Sequence, residues 1–226
     1  MTMSTLHTRF LQVEDTPALM ELECSKWDTT QAADNATLQR RIEVYPDLCV
    51  GTFCPRTGKA LASLFMRPIN PAMFTAPTRW ETAANIDSMG PTMHGNSRSL
   101  FGISLSSNNA EAVNEIFRFL IPHALKAGWN DVYLGSPIPG FRNARKKNPN
   151  LFVWQYVHAK RNPHADQPLD PQLQYYFKKG FKHIVSIQEN YFPHPDSMNY
   201  GVILRSTLNY LNQACFAESF SLERMG

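Results

Sequence analysis

Residues 100–134 read LFGISLSSNNAEAVNEIFRFLIPHALKAGWNDVYL, and this stretch decides the fold. Leu100, Phe101, Ile103 and Leu105 form the apolar pattern of a strand, and Ser106, Ser107, Asn108 and Asn109 make a polar turn. Over 110–127, Ala112, Val113, Ile116, Phe117, Leu120, Ile121 and Leu125 recur at three- and four-residue spacing. That period predicts a helix with one apolar face. Gly128 stops it, and Val132-Tyr133-Leu134 reads as a short buried strand. The unit is strand, polar turn, long helix, strand. A helix N-terminus in this position presents unpaired N–H groups to which an anion such as a pyrophosphate can bind. Many helices follow strands without binding anything, so the unit alone assigns no ligand.

Upstream, 8–13 is a candidate first strand, and Glu14-Asp15-Thr16-Pro17 starts a helix carrying Leu19, Met20, Leu22, Glu23 and Trp27. A second helix over 32–44 ends before Pro46, and 48–53 and 60–66 read as a hairpin around Pro55–Lys59. Residues 68–96 hold Pro68, Pro71, Pro77 and Pro91 and keep no period, apart from a short helix near 80–86. A loop that long is uncommon unless functional, and this one is placed to cover a binding cleft. Downstream come a rigid turn over 135–141, a basic run (Arg142, Arg145, Lys146, Lys147) and a helix over 151–161. Asp170-Pro171 then opens a helix with Leu173, Tyr176 and Phe177 on one face, stopped by Gly180. Strands over 181–187 and 201–204 and an amphipathic helix over 206–220 complete the chain.

A 226-residue chain with 43% hydrophobic and 18% charged residues suits one sizeable α/β (α+β) domain, here 1–205, with a C-terminal helical extension, 206–226. A net charge of +3 gives no reason to invoke nucleic acid. Cys24, Cys49, Cys54 and Cys215 show no C-x-x-C pairing and read as reduced core thiols of a cytoplasmic protein. No apolar run approaches the roughly 20 residues that span a bilayer, and the polar N-terminus lacks a signal-peptide core, so no membrane partner is expected. The histidines have no ligand spacing, so no metal is proposed.

In this order of elements the chain resembles the GNAT acyltransferase superfamily over about residues 8–205. The most specific piece is Asp170-Pro171-Gln172-Leu173-Gln174-Tyr175-Tyr176-Phe177-Lys178-Lys179-Gly180-Phe181, similar to the aromatic and Gly-Phe end of that family's fourth helix. Leu100–Ile103, Ile138–Phe141 and Asn199-Tyr200-Gly201-Val202 narrow the resemblance to GNAT-like domains fused to nitrilase-like enzymes or loading carrier proteins in polyketide assembly. The resemblance implies a central mixed, mostly antiparallel sheet of about seven strands, splayed at the donor site. It also implies an acyl thioester co-substrate, either acyl-CoA or a phosphopantetheine thioester on an acyl carrier protein, with no permanently bound cofactor.

By that resemblance the pantetheine arm lies along Ile103, Leu105 and Ser106, and the phosphates sit over Ser107, Asn108, Asn109 and Ala110. Most members carry a basic residue and glycines in that turn. Here both are missing and Glu111 adds a negative charge, which favours a carrier-bound donor with a single phosphodiester. Tyr176, four residues before Gly180, matches the tyrosine that serves many members as general acid, and Tyr175 is the fallback. A general base is harder to name: Glu23 and His158 are the candidates. Trp27 resembles a cleft aromatic of the subgroup, and Phe141 is placed with it as cleft lining. Malonyl-thioester decarboxylases of the polyketide type carry histidine where this chain has Lys179, which disfavours that chemistry. The basic run could meet donor phosphates or an acidic carrier, with a solvated loop as the alternative. The expected function is acyl transfer to an amine of a small metabolite; a GNAT-fold module without turnover, or a thioester decarboxylase or loading enzyme, are the alternatives. A homodimer through the last helix is compatible with the sequence, although spacing alone does not argue for one.

Overall fold

Among the described residues seven strands form one sheet in the order β1-β2-β3-β4-β5-β7-β6. They are β1 (His7–Phe10), β2 (Cys49–Phe53), β3 (Ala60–Ile69), β4 (Ser99–Ser107), β5 (Asp131–Pro137), β6 (His183–Gln188) and β7 (Gly201–Thr207). The computed structural model describes residues 6–27, 32–87, 97–162 and 166–213. All neighbouring strands are antiparallel except β4 and β5, which the long helix connects as a parallel crossover. The helices are α1 (Thr16–Cys24), α2 (Asn35–Val44), α3 (Trp80–Ala84), α4 (Ala110–Lys126), α5 (Phe141–Lys147), α6 (Val153–His158) and α7 (Pro171–Lys178).

β4 and β5 pair only from Ser99–Asp131 to Gly102–Leu134. Beyond that point β4 stays with β3 as far as Ser107–Ala62, and β5 stays with β7 as far as Pro137–Gly201. A register shift leaves Ile103 as an extra residue between Gly102, opposite Met66, and Ser104, opposite Phe65. Such a bulge bends its strand, and here it falls where the two strands part.

Paired residues share a face of a sheet, so the register separates the two layers. Thr52 Oγ1 donates to the Ala112 carbonyl of α4, and Ser206 Oγ donates to the Gly180 carbonyl beyond α7. Through Ala62, Met66, Pro68, Leu100 and Val132 these positions lie on one face, which α4 and α7 cover. The opposite face carries Phe65, Arg67, Phe101, Tyr133 and, past the bulge, Ser104 and Ser106, and it meets α1, α2 and α3. The core lies on both faces. Leu38, Phe65, Phe101, Ile116, Ile121 and Leu173 are among its fully buried members.

Several elements differ from the sequence reading. Gly135–Pro137 continue β5 instead of turning, because β7 supplies a partner. The basic run is the helix α5, anchored by buried Phe141, and its seven residues are too few to show a period. β3 runs through Pro68 to Ile69, and β7 runs through Ser206 to Thr207. The last helix begins at residue 208 with Leu208 and Leu211 in the core, so 206–213 belong to the folded body. Residues 88–96 of the long excursion and 214–226 lie outside the described residues. Cys49 is a buried thiol, pushed up to about 12 by burial, whereas Cys24 is exposed and Cys54 half-buried, so only Cys49 fits the expectation of a core thiol. Cys215 lies outside the described residues.

Candidate functional site

The gap between the diverging ends of β4 and β5 brings together residues from several elements. From α1, Glu23 reaches inward at 3% exposure, and Trp27 follows at 38%. On β4, Ser106 Oγ donates to Glu23 Oε2 at 2.5 Å and accepts from Trp27 Nε1 at 2.8 Å. Two residues earlier on the same face, Ser104 Oγ lies 3.4 Å from Arg41 Nη1 of α2. Arg41 is buried over the Phe65 ring, at 5.5 Å. Burial pulls its guanidinium below the ordinary value, and the Glu23 carboxylate acts in the opposite sense. The two buried groups influence each other electrostatically without a direct bond, Arg41 reaching Ser104 and Glu23 reaching Ser106. A buried carboxylate with one serine and one cation beside it can accept a proton.

Across the gap on the same face stands α3. Trp80 Nε1 donates to the carbonyl of the bulge residue Ile103 at 3.3 Å, and the Trp80 backbone N–H donates to the Tyr191 carbonyl at 2.7 Å. Arg67, with no exposed surface, holds the end of this helix by donating to the Ala83 and Asn85 carbonyls. Tyr191 itself lies across β7 and β5. Its Cβ, Cγ and Cδ1 occupy the space where Gly201 lacks a side chain, and its Cε1, Cζ and hydroxyl occupy that of Gly135.

The turn into α4 is closed on itself. The Asn108 N–H donates to the Leu61 carbonyl at 2.9 Å, the Asn109 N–H to Ser107 Oγ at 3.0 Å, and the Ala112 N–H to Asn109 Oδ1 at 3.0 Å. Ser107 Oγ also approaches the Leu61 and Asn109 carbonyls, and Asn108 Nδ2 donates to Ser25 Oγ. Three of the N–H groups that could meet a phosphate are thus already used, and Glu111 is exposed beside them.

The structure brings Glu23, Trp27 and Ser106 into one hydrogen-bonded cluster. Tyr176 is on α7, on the opposite face of the sheet, with its ring edge-on to Tyr175 and Phe181. Burial raises its phenol above the ordinary value, with the Gln172 side chain opposing. Ile103 and Leu105 line β4 as expected from its register. Phe141 has no exposed surface and packs between Tyr156 and Tyr200, so it offers nothing to a ligand here. His158 is exposed on α6, with Nδ1 2.8 Å from the Trp154 carbonyl. Arg142, Arg145 and Lys146 line, with Pro149 and Met198, a groove of about 610 Å³. Lys160 and Arg161, grouped with them in sequence, instead pair with Asp166 and Gln174.

Four residues of the site went unread in the sequence, Arg41, Trp80, Ser104 and Tyr191. A signal was present in Gly135 and Gly201, since a glycine inside a strand marks close approach of another group.

No family model matches the chain, and no curated protein matches it. Solved structures do. A GphF GNAT-like decarboxylase in complex with isobutyryl-CoA is similar at 23% identity, with a TM-score of 0.69, over 89% of this chain and 99% of that one. The loading GNATL domain of CurA from Lyngbya majuscula is similar at 19% identity and a TM-score of 0.70, over 91% and 98%. The ribosomal-protein-S18-alanine N-acetyltransferase from Escherichia coli is similar at 13% and 0.52, over 90% and 94%. The chain has the GNAT fold. Among the described residues no helix is long and apolar enough to cross a membrane.

Proposed function

We propose that this chain is an acyl-thioester enzyme that admits a pantetheine arm between β4 and β5 and passes the acyl group to an amine of a small metabolite. The observation that carries this reading is the buried Glu23 carboxylate bonded to Ser106 where the strands part. Attack on a thioester needs a neutral amine, and Glu23 can take the proton that an ammonium group or the attacking nitrogen loses. A negative charge there also favours a cationic acceptor over an anionic one, although Arg41 offsets part of that field. Tyr176, held protonated by burial, would give its proton to the leaving thiolate. The closed turn at Ser107–Asn109 supports a donor that needs little phosphate binding, such as a carrier-bound phosphopantetheine thioester. The basic groove of α5 would suit the acidic surface of that carrier.

A second reading, thioester decarboxylation coupled to carrier loading, draws support from the likeness to the GphF and CurA domains. Lys179, and a carboxylate rather than a cation at Ser106, weigh against it.

Calorimetry with acetyl-CoA, a longer acyl-CoA and an acylated carrier protein tests the donor. Micromolar binding of a CoA ester would mean that the closed turn still accommodates a pyrophosphate. Binding of the carrier alone would support the assembly-line reading, and silence with all three would leave a GNAT-fold module without turnover. With a donor found, release of CO₂ from a malonyl thioester separates the second reading from amine acylation. Tyr176→Phe is expected to lower turnover about 10²-fold or more with donor affinity unchanged, and an unchanged rate would remove Tyr176 from the mechanism.

A further inference from the structure

Tyr191 is 1% exposed, and its hydroxyl, buried among the described residues, has no hydrogen-bond partner. Buried hydroxyls are rarely left so, and each such group asks for an explanation. Its position supplies one. The last β4–β5 pair is Gly102–Leu134, and the next residue on β5 is Gly135. The tyrosine ring is rooted over Gly201 of β7 and extends toward β5, so that its hydroxyl lies 2.6 Å from the place of a Gly135 Cβ. Beyond β5 in the strand order comes the gap. The phenol therefore points at the apex of the gap, on the same face as Glu23 and Ser106. Trp80 fixes it there by bonding both the Tyr191 carbonyl and the Ile103 carbonyl on the far side.

We infer that the Tyr191 hydroxyl is a hydrogen-bond donor to the carbonyl oxygen of the bound acyl thioester, stabilising the negative charge that oxygen gains in the reaction. This rests on the acyl-thioester reading above. In amine acylation the nitrogen lone pair forms the C–N bond while the carbonyl π pair moves to oxygen. The pair then returns, the C–S bond breaks, and the thiolate takes a proton. In decarboxylation the C–C bond to the carboxylate breaks, CO₂ leaves, and the pair reaches the same oxygen as an enolate before a proton is taken at carbon. Either way the charge sits on one atom, and a donor preorganised away from water is worth most there. Burial raises the phenol well above its ordinary value, so it donates without ionising.

The test compares the full chain with its Tyr191→Phe variant, using CoA, a ¹³C-labelled ketone analogue of acetyl-CoA in which methylene replaces sulfur, and the same analogue on a carrier protein. The variant is expected to bind CoA as before and the analogue about tenfold more weakly. It should also return the infrared stretch of the bound carbonyl to higher frequency and lower kcat/KM for thioester consumption about 10²-fold. Its melting temperature is expected to stay level or rise, because no bond is lost. Unchanged analogue affinity and carbonyl frequency would overturn the assignment, even if the rate fell, because the effect would then belong to packing. If the unaltered protein binds neither CoA ester nor carrier, the acyl-thioester reading fails first and the role of Tyr191 fails with it. Binding by the unaltered protein with no change in Tyr191→Phe defeats only the inference.

Discussion

The two sides of the β4–β5 gap handle their polar groups differently. At the start of α4, Ser107, Asn108 and Asn109 turn their donors onto one another and onto Leu61, so the place where a phosphate would rest is internally satisfied. On the opposite face the buried Tyr191 hydroxyl has no partner among the described residues, and the buried charges of Glu23 and Arg41 are held by Ser106 and Ser104 of β4 respectively. A satisfied turn holds itself together and gains little from a ligand. An unpaired buried hydroxyl costs about 1–3 kcal/mol, a cost that a ligand oxygen placed as inferred above would relieve. On the function proposed above, the difference would put the chemistry at the acyl end of the gap, with the turn serving mainly as a helix cap.

The largest effect that would break this comparison is on turnover. If both phenols act, each Phe variant loses about 10²-fold in rate, about 2.7 kcal/mol. Because burial raises both phenols, neither should impose a fall in rate between pH 7 and about 10, where an ordinary tyrosine begins to ionise. A rate that declines with an apparent pKa of about 9 and flattens in either Phe variant would contradict the burial of that phenol. Next in size, Gly135→Ala puts a Cβ 2.4 Å from Tyr191 Cε1 and must displace the ring. A loss of about 2–3 kcal/mol in urea unfolding is expected, together with lost turnover, while Gly135→Ala with Tyr191→Ala should recover part of the stability but not the rate.

On the closed side the effects are smaller. Asn109→Ala removes the cap of α4 and should cost about 1 kcal/mol of stability with little change in donor affinity. A large fall in affinity would show that Asn109 meets the phosphate after all. The smallest effect is expected from Glu111→Gln, which removes an exposed charge from the first turn of α4. Affinity for a CoA ester should rise about two- to fivefold, equivalent to about 0.5–1 kcal/mol, and titration at low and high salt would show whether the gain is electrostatic.

Much of the frame was legible because its elements are long and periodic. α4 begins at Ala110 as its spacing requires, and Asp170-Pro171 opens α7 as read. Asp170 also does more than cap: its Oδ2 accepts from the Gly140 N–H and from Tyr156 Oη, tying α5 and α6 to α7. That bond spans 30 residues and carries no local signal. α5 was hidden for a related reason, since seven residues with one buried anchor look like a charged loop. Among site residues, Glu23 could be named from its helix and Trp27, which lies past the end of α1, from the resemblance, but their meeting with Ser106 joins positions 83 and 79 residues apart.

The sequence by itself determined the succession of strands and helices, the turn without glycine or a basic residue before α4, and the glycines that leave room on β5 and β7. Those are local properties of period, backbone freedom and missing side chains. Only the tertiary structure decided what fills that room. Tyr191 arrives from the loop between β6 and β7, and Trp80 from the excursion after β3. Their meeting over the gap follows from strand order and the bulge at Ile103, which no stretch of neighbouring residues encodes.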